Sequence, residues 1–153
     1  FPKRKTPKLF PTKGSYLIYS GKSPVQHIVY PAIIPGKIEE RVDARPDLGG
    51  DLRFGPNVEE ARNLEDFSLK DEIIPQMLTG IKRYLPKIDP SRLHLDMAGI
   101  RPKIYVDGSL VADFRFDLAE EKGWLDLWGM ESPALTASLA IGEYVNELIE
   151  SYI

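Results

Sequence analysis

The sequence predicts an α+β fold: a largely antiparallel sheet of about seven strands with two main helices. Three observations lead there. The glycine-bearing turn signals Asp47-Leu-Gly-Gly-Asp51 and Asp107-Gly108 lie between short apolar runs, as in hairpins, whose tight turns need positive φ. Apolar residues fall at helical spacing in only two stretches, and strands and helices do not alternate strictly, which argues against a parallel β-α-β sheet. Proline takes 13 of the 153 positions, above the usual share of ~5%, and favours many short elements.

Taken in order, residues 1–13 carry Lys3, Arg4, Lys5, Lys8 and Lys13 with no acid. They read as a basic arm or linker ahead of a domain over residues 14–153. Tyr16-Leu-Ile-Tyr19, between Gly14 and Gly21, reads as a strand, and Val25-Gln-His-Ile-Val-Tyr30, stopped by Pro31, as its hairpin partner. Residues Glu39 to Ala44 alternate weakly and suit a third strand. Leu52-Arg-Phe54 follows the Gly-Gly turn as a fourth and stops at Gly55-Pro56. Ser68-x-x-Asp71 resembles a capping box. After it Ile73, Ile74, Met77, Leu78, Ile81, Tyr84 and Leu85 share one helical face. Pro75 marks that helix's first turn or a kink in it, and Pro86 ends it. Ile100 to Val106, Leu110 to Phe116 and Trp124 to Trp128 read as strands. Ser132-Pro133 then opens the second helix, because Ser caps well and Pro suits the first helical position. Ala137, Ala140, Ile141, Tyr144, Val145, Leu148 and Ile149 form its apolar face.

Composition excludes much. With no cysteine there are no disulfides, thiolate metal sites or cysteine nucleophiles. The apolar runs are too short for a membrane span. A net charge of −3 gives no basis for a nucleic-acid partner. His27 and His94 lack metal-ligand spacing, and His27, set mid-strand, reads as structural. Neither a G-x-G-x-x-G after a strand nor a P-loop occurs, so the chain shows no nucleotide site of its own.

Two segments carry candidate chemistry. In Ala98-Gly-Ile-Arg-Pro-Lys103, strand alternation puts Arg101 and Lys103 on one face, where paired cations suit a carboxylate ligand or simply meet solvent. Gly99 permits close approach of a ligand or another chain. In Leu127 to Thr136, a glycine turn precedes the second helix, whose free N–H groups would form an anion site or an ordinary capped end.

Several segments together resemble FAD-dependent oxidoreductases of the D-amino-acid oxidase superfamily, closest to the L-2-hydroxyglutarate dehydrogenase/oxidase group. They are Ile28-Val-Tyr-Pro31, Asp47-Leu-Gly-Gly50, Arg53-Phe-Gly-Pro-Asn-Val-Glu59, Lys82-Arg-Tyr-Leu-Pro86, Ala98-Gly-Ile-Arg-Pro-Lys103 and Gly129-Met-Glu-Ser-Pro-Ala-Leu-Thr-Ala-Ser-Leu-Ala-Ile141. The resemblance implies the C-terminal, substrate-side part of such an enzyme, an antiparallel roof over the flavin. It implies FAD bound mainly by an N-terminal region in the same or a separate chain, and a small carboxylate substrate. On it, Gly99, Arg101 and Met130, Glu131, Ser132, Pro133, Ala134, Leu135 and Thr136 would contact the cofactor. Arg101 and Lys103 would bind substrate, with Arg101 also catalytic. The group's G-L-G-V-H run is replaced here: Val42-Asp43 stands at its V-H position after Ile38-Glu-Glu-Arg41, so any proton-accepting role of the histidine is either unfilled or passes to Asp43. Ala134 replaces a common glycine. By the resemblance, 153 residues cover well under half of such an enzyme. The chain is therefore expected to be inactive alone, as a fragment, a separate domain or one subunit of a split enzyme. The alternative expectation is a non-catalytic binding module derived from the same domain.

Overall fold

The computed structural model describes residues 7–32, 41–118 and 123–152. Eight strands and two α-helices occur among them: β1 (Lys8–Tyr19), β2 (Asp43–Pro46), β3 (Leu52–Gly55), β4 (Glu59–Glu60), α1 (Ile73–Lys82), β5 (Leu93–Val106), β6 (Ser109–Leu110), β7 (Arg115–Leu118), β8 (Leu125–Trp128) and α2 (Ser138–Tyr152). Hydrogen bonds order one sheet as β2-β3-β1-β5-β6 with β4 also on β1, while β7 and β8 form a second. The β1–β3, β2–β3 and β7–β8 pairs are antiparallel, in keeping with the α+β expectation. The chain divides into two compact units, residues 11–101 and residues 1–10 with 102–153.

The unit of residues 11–101 holds the core. Leu17 and Tyr19 of β1, Val42 and Ala44, Leu52 and Phe54 of β3, and Ile73, Met77 and Ile81 of α1 are all buried. On each strand these are alternate residues, so one sheet face is apolar and covered by α1. The buried residues of α1, Ile73, Met77, Gly80 and Ile81, recur with the helical period. Tyr19 and Phe54 meet edge-on, ring centroids 6.5 Å apart. Pro75 lies in the first turn of α1, where a missing N–H costs nothing. Tyr84, just past the helix, donates its hydroxyl to the Val42 carbonyl at 2.9 Å. Burial, and next the charge of Asp43, push the Tyr84 phenol well above its ordinary value.

The hairpin turns form where the sequence puts them. Asp47 N–H donates to the Asp51 carbonyl at 2.9 Å, Asp51 N–H returns to Asp47 Oδ1 at 3.0 Å, and Gly50 takes φ +94°. Asp107 and Gly108 both have positive φ, 52° and 78°, the geometry of a tight β5–β6 turn.

Other expectations are corrected. Residues 25–30 make no strand. Only Val29 pairs, in an isolated bridge with Ala44, because Pro24 and Pro31 hold the segment's ends, and His27 is exposed instead of mid-strand. The third strand begins at Asp43; residues 33–40 lie outside the described residues. Ser68 does not cap α1: its hydroxyl donates to Asp66 Oδ1 at 2.5 Å, and α1 starts after Glu72 with no side-chain cap. The stretch 110–116 is split between β6 and β7. Of the basic segment, residues 8–13 form the first half of β1; residues 1–6 lie outside the described residues. Lys13 is only 3% exposed. Its ammonium lies 3.1 Å from Glu59 Oε1 and 3.7 Å from Asp66 Oδ1 and donates to the Ser68 carbonyl at 2.8 Å. A buried ammonium needs such partners.

In the second unit α2 is amphipathic but shallowly covered. Ile141, Val145 and Leu148 are half-buried, whereas Leu135 and Leu139 are 88% and 85% exposed. Tyr144 meets Phe116 of β7 edge-on at 4.9 Å. Ile104 of β5 is buried. No helix among the described residues is long and apolar enough to cross a membrane.

Two outcomes follow from this packing. Phe54→Ala lowers the unfolding free energy by about 3–5 kcal/mol in chemical denaturation, since it opens a cavity in the fully buried centre. Asp66 has its carboxyl held well below the usual carboxylate range by Arg62 and then Ser68. A depressed folded pKa gives stability that is present above the unfolded value of about 3.9 and is lost as pH falls through the folded one. Unfolding midpoints measured against pH therefore drop in acid, and Asp66→Asn flattens that part of the profile.

Candidate functional site

The face of the β2–β3 hairpin turned from the core is charged. Arg45 and Arg53 are direct cross-strand partners, as are Asp43 and Gly55. Like charges opposite one another repel, and carboxylates offset this. Arg53 donates to Asp96 Oδ2 at 2.7 Å and to Asp47 Oδ2. The bond to Asp96, then that to Asp47, raises the Arg53 pKa, and the Arg53 bond in turn lowers that of Asp47. Arg45 donates to Asp43 Oδ2 at 2.8 Å. Burial opposes the Arg45 charge, but the Asp43 bond and the nearby Tyr16, Asp43 and Tyr30 outweigh it and raise its pKa. Gly55 is needed here. At φ +140° it lies under the Tyr16 ring, and a Cβ would sit 2.7 Å from Tyr16 Cδ1 and 2.9 Å from the Ser15 carbonyl.

Asp43 is only 4% exposed. Arg41 Nε approaches its Oδ1 at 3.6 Å, and that oxygen is buried without a hydrogen bond among the described residues. The carboxylate is thus enclosed between two guanidiniums. Sequence reasoning missed Arg41, Arg45 and Tyr30. The signal was the Arg41-Val-Asp43-Ala-Arg45 alternation, which puts three charged side chains on one strand face. Farther along this unit, Gly99 and Arg101 lie on β5. A Cβ on Gly99 would meet no atom within 4 Å. Arg101 is exposed, and among the described residues its guanidinium makes no ion pair.

The other unit carries Lys103 and residues 130–136. Lys103 Nζ lies 3.4 Å from Glu131 Oε1, with the carboxylate 14% exposed, so β5 and the loop before α2 are tied by a partly buried ion pair. The loop turns at Gly129, φ +69°, where a Cβ would lie 2.6 Å from the Asp113 carbonyl. Met130 is half-buried, and Ser132, Pro133, Leu135 and Thr136 are exposed. The helix start is corrected here. Residues 132–137 wind as turns and regular α2 begins at Ser138. The cause is local: Ala134 N–H is taken by the Glu131 carbonyl at 2.6 Å, and the Thr136 hydroxyl by the Pro133 carbonyl at 2.9 Å. The Ala134 N–H, in the stretch expected to offer free N–H groups to an anion, is thus already used.

Residues 1–148 match the family model described as DAO, FAD dependent oxidoreductase. A mitochondrial L-2-hydroxyglutarate dehydrogenase of Arabidopsis thaliana is 32% identical over 147 residues, 87% of this chain and 30% of that protein. A glycerol 3-phosphate dehydrogenase of Caloramator mitchellensis is 20% identical over 146 residues, 94% of this chain and 29% of that protein. Among solved structures, dithionite-reduced L-alpha-glycerophosphate oxidase from Mycoplasma pneumoniae with FAD bound has the same fold over 94% of this chain and 37% of its own, with a TM-score of 0.72 at 20% identity. The chain thus spans under a third of the length of these two curated relatives.

The loop geometry makes one outcome specific. Gly129→Ala forces a left-handed backbone on a residue with a Cβ and drives that Cβ into the Asp113 carbonyl. It lowers stability by at least about 1–2 kcal/mol, read as a shifted denaturation midpoint, whereas Gly142→Ala, with open space around it, is neutral or stabilising.

Proposed function

The chain belongs to the DAO family of FAD dependent oxidoreductases, and from that premise we propose that it is the substrate-side domain of an enzyme oxidising a 2-hydroxy acid or similar small carboxylate. It acts with a nucleotide-binding region in the same or a separate chain. The name of the first relative supports a 2-hydroxy acid, and that of the second, a phosphate ester, supports only a small hydroxylated anion.

The observation that carries the reading is the Gly99–Arg101 edge of β5. The space where a Gly99 Cβ would stand is open, and the Arg101 guanidinium two residues on is exposed. This fits a surface that a planar ring and an anion approach closely. When bound, FAD supplies the acceptor for a hydride leaving the substrate carbon. Arg101 binds the substrate carboxylate, a charge-assisted and potentially bidentate contact that fixes which hydrogen faces the acceptor. In the other unit, the backbone of residues 130–136, with Leu135 and Thr136 N–H leading, serves the cofactor's polar edge. Lys103 is the weaker substrate candidate, because Glu131 already neutralises it.

Asp43 is the weak point. As the residue standing for the family histidine it is the candidate acceptor of the hydroxyl proton. Yet its free oxygen is enclosed, so transfer to it requires the Arg41 side chain to move. That enclosure favours a second reading, a non-catalytic binding module that kept the fold and lost the chemistry.

Arg101→Ala tests the first. In an assembly with the nucleotide-binding region that binds FAD and is reduced by a 2-hydroxy acid, it lowers kcat/KM by on the order of 100-fold, with the flavin absorbance unchanged. A rate within about twofold of the parent's overturns the Arg101 role, and an assembly that binds FAD but is not reduced by any 2-hydroxy acid supports the module instead.

A further inference from the structure

Arg41, Asp43, Arg45 and Tyr30 form a group that the Arg101 reading does not use. The Arg41 and Arg45 guanidinium carbons lie 5.9 Å and 5.7 Å from the same Tyr30 ring centroid. Both side chains keep 40% and 38% of their surface exposed, while the carboxylate they share is 6% exposed. Arg53, the cross-strand neighbour of Arg45, is satisfied by Asp47 and Asp96 and draws nothing from Asp43. Among the described residues the group therefore holds two cations against one buried anion. It is also pre-ordered. Asp43 fixes the Arg45 fork from below and the Tyr30 face packs beside both guanidiniums, so little side-chain freedom remains to be lost on binding.

We propose that Arg41 and Arg45, braced by Asp43 and Tyr30, form a binding site for the oxyanion of a small molecule, a carboxylate or a phosphate. As part of the enzyme this deepens the reading above and rests on it: the site takes an anionic group of the substrate other than the one held at Arg101. As an oxyanion site it stands on its own geometry. Asp43 is in that case a positioning residue for Arg45.

The test uses the 153-residue chain and follows the arginine Nε–H resonances by NMR during titration with inorganic phosphate and, separately, glutarate. Saturable shifts of Arg41 and Arg45 are expected, and the tighter of the two probes identifies the oxyanion. Arg45→Gln combined with Arg41→Gln weakens binding by at least tenfold. Glutamine at 45 still offers Asp43 a donor, and Arg41→Gln alone serves as the second variant if the pair perturbs folding. Arg101→Gln leaves the Arg41 and Arg45 response to inorganic phosphate unchanged, so failure of the Arg101 assignment cannot be mistaken for failure of this one. No saturable shift with either probe, or an unchanged titration in the variants, overturns the proposal.

Discussion

The packing of α1 against one face of the β1–β3 strands decides what the rest of this unit can do. Phe54, Leu17 and Leu52 are fully buried there with Met77 and Ile81. Because strand side chains alternate, fixing these residues inward sends Asp43, Arg45 and Arg53 to the opposite face. A one-residue slip in register would bury three charges and expose the core. The apolar packing and the charged face are thus consequences of one constraint. The ion pairs at Asp43, Asp47 and Asp96 are what make that face tolerable, since like charges would otherwise oppose each other across the hairpin.

The second unit follows a different rule. Among the described residues its buried apolar surface is small, with Ile104 inside and Leu135, before α2, and Leu139, in it, left in solvent. Order there comes from specific local devices. These are the Asp107-Gly108 turn, the left-handed Gly129, the short bonds closing residues 129–138 and the Lys103–Glu131 pair. Such contacts hold a loop in shape through local geometry and not through a large apolar core.

Local chemistry was legible in the sequence and distant pairing was not. The Gly-Gly and Asp-Gly turns and the α1 face were readable because each signal lies within a few residues. Residues 25–30 had strand composition but lacked a neighbour to pair with beyond Val29. The full length of β1 was hidden because Lys13 breaks its apolar pattern, and the residues that make its burial possible, Glu59 and Asp66, lie far along the chain. Ser132-Pro133 imitates a helix start, but the Thr136 hydroxyl and the Glu131 carbonyl satisfy that stretch as turns. For the site, Gly99, Arg101 and the 130–136 loop could be singled out from motifs. The bracing of Arg45 by Asp43 could not, since it depends on which strand face the core claims.

The central claim is that one packed core carries the fold while the helical unit buries little of its own. Native-state hydrogen exchange of the 153-residue chain tests it most directly. Amides of residues 15–19, 52–55 and 77–82 should exchange only through global unfolding, and those of residues 141–150 in α2 should exchange orders of magnitude faster. Equal protection of α2 and the β1–β3 core would contradict the account.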